Sequence, residues 1–350
     1  MSIIINIIVF IIVLTVIVAF HEFGHFLLAK LTGVYVYEYA IGMGPKLFGF
    51  KKGETEYSLR AIPIGGYCQL AGEDLDEDDA QKVPKNRRLQ NKKAWQRFLI
   101  MVFGPVNNFI LAVVIMFLAA LIWGGVTMDP VISEVNKDSA AEQAGLQAND
   151  TVLLINKHKI STNDDISLYL AVADPKKGST FKVERADGTY ATIKVKPQKV
   201  KEDGKDTYRY GIVMKQEPTK GFLESMGFVW KKTGSFFKQM FITVGYLFTG
   251  GVKVTQLSGP VGIYSIVGQS RANGLSSIFL LTAFLSINVG FINLLPIPAF
   301  DGGHILFIII EVIKGSPVNP ELENKIHYIF LMLLMALMVF ITINDIIKLF

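Results

Sequence analysis

The chain has 350 residues, 51% of them hydrophobic, with a mean hydropathy of +0.39. That composition excludes an ordinary soluble domain and points to a bilayer as solvent. A net charge of +5 is no sign of nucleic-acid binding, because many basic residues flank apolar runs, where membrane topology places them. The single cysteine, Cys68, excludes an internal disulfide, so any domain outside the membrane must hold by packing.

The first apolar stretch runs from Ile3 to Phe20 and on toward Ala29. It has no basic leader and no small-residue cleavage site, so it is expected to stay as a span. At its far end stands His21-Glu22-Phe23-Gly24-His25. On a helix, residues four apart share a face, so both imidazoles can hold one ion while Glu22 takes a proton from a water. Zinc suits two histidines, an oxygen ligand and an open position. Random placement gives this motif in about one of a few hundred chains of this composition, and ionisable groups on an oily helix are rare without a function. At 1.5 Å per residue, Ile3–Phe20 covers about 27 Å of a hydrocarbon layer of about 30 Å. The apolar run continues to Leu31, which places the histidines below the cytoplasmic surface.

Residues 34–72 alternate apolar and polar side chains between glycine pairs, the pattern of a short sheet with hairpins, expected in or against the membrane. The acidic run from Glu73 reads as a solvated loop, and Lys85–Arg97 as a surface-lying helix with an interfacial Trp95. Lys30, Lys92, Lys93 and Arg97 place this loop in the cytoplasm, with the N-terminus, the segment after the second span (Phe98–Trp123) and the C-terminus outside.

Between Asp129 and Pro218 the chain turns from oily to mixed. Short strands at "VISEV", "DTVLLIN", "FKVERADGTYATIKV" and "YRYGIVM", with helices at "SAAEQAG" and "DDISLYLAVAD", predict a small inserted α+β domain. Its "AGLQANDTVLLINKHKI" resembles a PDZ domain of the bacterial protease-associated kind, with Asn149 and Lys157 standing where glycine is usual. Residues 221–248, with Lys231, Lys232 and Lys238 among aromatics, read as a helix lying in the interface.

The third and fourth spans are expected at Ser276–Phe300 and Ile326–Ile343. The third ends in "NLLPIPAFDGGHILF", where two prolines break the helix before Asp301. Irregular backbone at this depth must be buried in protein or line a cavity. Either Asp301 or His304 can complete a tetrahedral site with His21 and His25.

The pair of motifs, His-Glu-x-x-His in the first span and Asn293-x-x-Pro296-x-Pro298-x-x-Asp301-Gly302 in the third, resembles the site-2 protease family of intramembrane zinc metalloproteases. With one PDZ-like insert the chain is similar to the bacterial regulator-of-sigma-E proteases. The resemblance implies Zn2+ held by His21, His25 and Asp301, with Glu22 as general base. It further implies Asn293, Pro296, Pro298 and Asn288 as substrate contacts, joined by Gly42 and Gly44 of the sheet and Asn107 of "GPVNN" (Gly104–Asn108). "SGPVGI" (Ser258–Ile263) matches as well, while Phe300 stands where leucine is usual. The expected fold is a polytopic α-helical membrane protein of about four spans with a membrane-associated β-sheet and an inserted PDZ-like α+β domain. Its parts are a membrane part over 1–126, the PDZ-like domain over 127–217, an interfacial segment over 218–274 and a second membrane part over 275–350. The expected partners are the lipid bilayer and single-span transmembrane clients, such as anti-sigma factors or signal-peptide remnants, in a bacterial cytoplasmic membrane. The alternative is a membrane-anchored PDZ adaptor or chaperone with a vestigial metal site.

Overall fold

The computed structural model describes residues 2–73, 83–202, 205–249 and 258–348; most of the acidic run after Glu73 lies outside them. The described chain divides into two units, 1–116 with 254–350, and 117–253. Four of its helices are long and apolar enough to cross a membrane.

Helix α1 spans Ser2–Leu31. Its β-branched residues would favour strands in water, but lipid offers no partner for an unpaired backbone, and a helix satisfies every group internally. Ile4, Ile8 and Ile12 are exposed, as a lipid-facing surface requires. The helix ends where Thr32 Oγ1 donates to Leu28 O at 2.7 Å, and Lys92 Nζ donates to Thr32 O at 2.8 Å. A cation at a helix C-terminus meets the negative end of its dipole, so a residue read as a topology signal also caps α1.

Strands β1 (Val36–Lys52) and β2 (Thr55–Leu70) are each folded on themselves. Residues 36–41 pair with both 56–59 and 66–70, and 46–52 pair with 55–60, which makes four short segments in the order 46–52, 55–60, 36–41, 66–70, the outer pairings antiparallel and the register of the central one rising in step, Glu38 with Glu56 to Ile41 with Leu59. The folding point in β1 needs glycine: Gly42 has φ +87°, and a Cβ there would lie 2.7 Å from Ile62 O. Glu38 fastens the sheet, accepting from Arg60 Nη2 at 2.7 Å and Tyr67 Oη at 2.7 Å. Met43, Leu47, Phe48, Phe50 and Ile62 are exposed, an apolar face suited to lipid.

Lys85–Arg97 is not one surface helix. Two 3-10 turns, Lys85–Arg87 and Leu89–Asn91, are separated by an extended Arg88, and helix α2 begins at Ala94 and runs to Trp123. The physical reason is that Arg87 is held across the loop, donating from Nη1 and Nη2 to Glu54 at 2.7 Å each, which a continuous helix would break.

In the inserted unit, β3 (Gly125–Val126), β4 (Ile132–Val135), β5 (Thr151–Ile155), β6 (His158–Lys159), β7 (Ser179–Glu184) and β8 (Tyr190–Val195) accompany helices α3 (Ala140–Ala144) and α4 (Asn163–Val172). They are followed by β9 (Gln198–Glu202), β10 (Lys205–Arg209), β11 (Ile212–Met214) and β12 (Pro218–Thr219). The largest sheet is antiparallel in the order β6-β5-β7-β8. Its alternating inward residues Val152, Ile155, Phe181, Val183, Ile193 and Val195 form a core closed by Ile132, Ile166 and Tyr169. Thr162 and Asp165 form a capping box on α4. Asp150 accepts from Arg185 Nη1 at 2.8 Å and from the Gln147 N–H at 2.9 Å.

Residues 218–274 hold two helices that fall in different units. Helix α5, Phe222–Thr249, belongs with the insert. Its lysines, expected to face a headgroup layer, are engaged there: Lys232 Nζ lies 2.7 Å from Asp164, Lys231 Nζ 2.8 Å from Asp129 and Lys238 Nζ 2.9 Å from Asp165. Its Phe222, Leu223, Met226 and Trp230 stay exposed. Helix α6, Pro260–Ala272, belongs with the spans, followed by α7 (Leu275–Leu294), α8 (Asp301–Lys314) and α9 (Pro320–Ile347). "SGPVGI" is the start of α6. Buried Asp345 of α9 accepts from the Gly259 and Gly262 N–H groups at 2.8 Å each, capping α6 from a neighbouring helix.

Candidate metal centre

The last third of α1 presents His21, Glu22 and His25 toward α2 and the sheet. Close approach of the two helices depends on small residues. A Cβ on Gly24 would lie 2.8 Å from Gly104 Cα, and one on Gly104 would lie 2.5 Å from Cε1 of His25. Pro296 and Pro298 end α7 early, and Asp301 opens α8 after the irregular stretch 295–300.

Asp301 Oδ2 stands 3.1 Å from His21 Nε2 and 3.4 Å from His25 Nε2, and the two Nε2 atoms are 3.3 Å apart. Ligands about 2.0–2.1 Å from a tetrahedral zinc ion are separated from each other by roughly 3.3–3.4 Å. The three edges therefore fit one ion. Among the described residues Asp301 Oδ2 is buried with no hydrogen-bond donor beyond the two Nε2 atoms; where those keep their lone pairs it costs about 1–3 kcal/mol or more for a charged atom, which a cation at this point removes. His304, the other candidate third ligand, instead places Nδ1 3.5 Å from Glu323.

The far side of each imidazole decides whether Nε2 can ligate. His25 Nδ1 lies 2.9 Å from Ile100 O, an acceptor, so Nδ1 carries the proton and Nε2 keeps its lone pair. His21 Nδ1 lies 3.3 Å from the amide of fully buried Asn108. Asn108 Oδ1 has no partner among the described residues, and turning the amide over sets that oxygen on the His21 Nδ1–H. Asn108 was the residue that sequence reasoning passed over in favour of its neighbour. Asn107 Nδ2 donates to Phe20 O, one residue before the motif, so it binds helix to helix. The signal was present in the doubled asparagine, since adjacent residues on a helix face about 100° apart and only one can meet the ring.

A second group, His304, Glu323 and His327, also brings potential ligands together, but its tautomer opposes a metal. The Ala299 N–H donates to His327 Nδ1 at 3.2 Å, so Nε2 bears the proton in the neutral ring. Ala299 itself has φ +102°, a conformation that costs an alanine of order 1–3 kcal/mol.

A cavity of about 460 Å³ is lined by His21, Glu22, His25, Asp301, Met101 and residues 67–70 of the edge segment of the sheet. Cys68 of that segment and Glu22 line it together. Of the residues predicted for the site, these four polar groups converge. Gly42 and Gly44 lie at the corner of the sheet, and Asn288, Asn293, Pro296 and Pro298 on α7 and the loop after it; neither they nor Asn107 line this cavity.

Four helices long and apolar enough to cross a membrane, the first carrying a His-Glu-x-x-His turn that Asp301, 276 positions beyond His25, meets in space, define the class of an integral-membrane metalloprotease. The profile of peptidase family M50 matches residues 9–337, and the chain belongs to that family. It is 34% identical to the regulator of sigma-W protease RasP of Bacillus subtilis, covering 99% of both chains. It is 32% identical to the zinc metalloprotease RasP of Bacillus licheniformis, again over 99% of both. A Clostridium acetobutylicum protein named as a candidate zinc metalloprotease shares 34% over 98% of this chain and 97% of its own. The B. subtilis alignment runs to 421 positions and the clostridial one to 343, so the bacillar relative carries segments that this chain of 350 residues lacks. The protein is a membrane zinc metalloprotease of the site-2 type.

Proposed function

We propose that His21, His25 and Asp301 hold Zn2+ and that Glu22 is the general base in hydrolysis of peptide bonds within or beside transmembrane segments of client proteins. The observation that carries this reading is the triangle of 3.1, 3.3 and 3.4 Å between the three ligand atoms, with Glu22 in the same cavity. Bound zinc supplies Lewis acidity to a water and to the scissile carbonyl. Glu22 accepts the water proton and passes it to the leaving nitrogen as the C–N bond breaks. A client helix must unwind first, because its carbonyls are otherwise hydrogen-bonded. Segment 66–70, whose one ladder partner among the described residues is 36–41, receives the unwound stretch by strand addition beside Glu22. Asn293, Asn288 and the Pro296–Pro298 loop, with Asn107, Gly42 and Gly44, stand outside that cavity, so any contact they make with the client falls where it extends past the cleavage point.

The clients are single-span proteins such as anti-sigma factors or signal-peptide remnants, cleaved near the cytoplasmic side of a bacterial cytoplasmic membrane. The N-terminus, insert and C-terminus lie outside, as the cations around Lys30 and Lys92 direct. The insert over 127–217 is a PDZ-like domain that filters clients. The left-handed backbone at Asn149 (φ +68°) and Lys157 (φ +74°), both positions where the PDZ pattern carries glycine, supports that reading. An adaptor with a decayed site gives no reason for four converging polar groups.

The test is zinc content of the detergent-purified protein beside D301A, H25A and E22Q, with cleavage of a membrane-inserted helical client and of a soluble peptide. The expected result is about one zinc per chain in the wild type and E22Q, loss in the other two, and cleavage of the helical client by the wild type alone. Absence of zinc from the wild type purified without chelator, or equal cleavage of the soluble peptide, overturns it.

A further inference from the structure

We propose that His327, on the fourth span, is a positioning residue for Asp301, acting through the backbone of Ala299; the proposal rests on Asp301 being a metal ligand as argued above. No residue of α9 lines the catalytic cavity, yet α9 reaches the loop that aims Asp301. Within that loop the Ile297 N–H donates to Leu295 O at 2.6 Å and the Phe300 N–H to Ile297 O at 3.2 Å. The Ala299 N–H has a different destination, His327 Nδ1 at 3.2 Å.

The bond holds a conformation that alanine does not choose. Ala299 sits at φ +102°, and return to an ordinary negative φ would turn the chain two residues before the carboxylate. A ligand is tolerated only within about 0.2 Å of its ideal distance, so that turn takes Asp301 out of range of an ion shared with His21 and His25. The anchor is stiff. The His327 ring stacks on His304 at 4.2 Å with 23° between planes, and Phe307 packs against it at 5.5 Å. Both neighbours belong to α8, the helix that Asp301 begins, so loop and helix are registered on one imidazole. The Nδ1 acceptor role also distinguishes this histidine from the two metal-facing ones, whose Nδ1 atoms donate.

The experiment measures zinc affinity of the full-length protein in detergent by chelator competition, together with kcat and KM for a helical client. The variants are H327F, H327N and H327F combined with A299G. Phenylalanine keeps the ring and loses the acceptor; it is expected to weaken zinc binding by about 10- to 100-fold, the usual effect of removing an outer partner of a ligand. kcat should fall with KM unchanged, because segment 66–70 is not involved. Asparagine sets an oxygen near the place of Nδ1 and should stay close to wild type. Glycine at 299 adopts φ +102° without strain, so A299G should recover the larger part of what H327F loses. Zinc affinity in H327F equal to wild type overturns the inference, as does a loss that neither H327N nor A299G relieves. If D301A keeps its zinc, the ligand reading itself has failed; if D301A loses it while H327F does not, only the role of His327 falls.

Discussion

Replacing Gly104 by alanine sets two effects of known size against each other. Alanine is favoured over glycine in a helix interior by about 1 kcal/mol, and residue 104 lies well inside α2. The added Cβ would stand 2.5 Å from Cε1 of His25, where ordinary carbon contacts are about 3.5 Å. The ring or the helix must therefore yield by about 1 Å, several times the tolerance of about 0.2 Å for a metal–ligand distance. Overpacking of this kind costs typically 1–3 kcal/mol, so the net change in folding stability is a modest loss of about 0–2 kcal/mol. Zinc affinity is expected to drop by at least about 10- to 100-fold. The assay is thermal unfolding in detergent without zinc, then chelator competition for zinc, beside G234A in α5, whose Cβ meets nothing within 4 Å and which should leave zinc affinity untouched. Wild-type zinc affinity in G104A would refute the placement of His25 against α2.

Two further predictions concern the scaffold. Glu54 donates no proton to its partners; Arg87 first, and then Lys30, hold its carboxyl down from an ordinary 4.5 to about 2. A depressed folded value means that the network's stabilisation is complete above about pH 4.5 and is lost as pH falls toward about 2. The Tm difference between wild type and E54Q should thus be constant near neutrality and close over that window, and a difference independent of pH would count against the network. D345A leaves the Gly259 and Gly262 N–H groups without their acceptor at the head of α6, for an expected loss of about 2 kcal/mol. D345N, which retains one carbonyl oxygen, should lose less by the same unfolding measurement, and equal losses would show that the cap is not the cause.

Much of this protein was legible in order along the chain. Lipid removes the alternatives to a helix, so hydrophobic length alone located the spans, and α1, α2, α7 and α9 lie where the apolar runs are. Helical spacing put His21, Glu22 and His25 on one turn. In the insert, alternation of apolar and polar residues marked the strands, and the apolar spacing of "DDISLYLAVAD" the helix, from neighbours within a few residues. Glycine and proline marked the corner at Gly42 and the break before Asp301 because each forces a backbone angle locally.

What the sequence left open were contacts between residues far apart, which have no period. The choice of Asp301 over His304 turned on how a loop held by Ala299 directs one side chain, and the choice of Asn108 over Asn107 on how α2 is rotated against α1. The lysines of α5 read as headgroup anchors until the acids of the insert came beside them, and Lys85–Arg97 read as a helix until Glu54 claimed Arg87. The sequence alone determined the class of elements and the chemistry available on α1. Tertiary structure decided which polar atoms share a point in space, because that depends on helix rotation and loop direction, quantities set by packing between segments and by no single one of them.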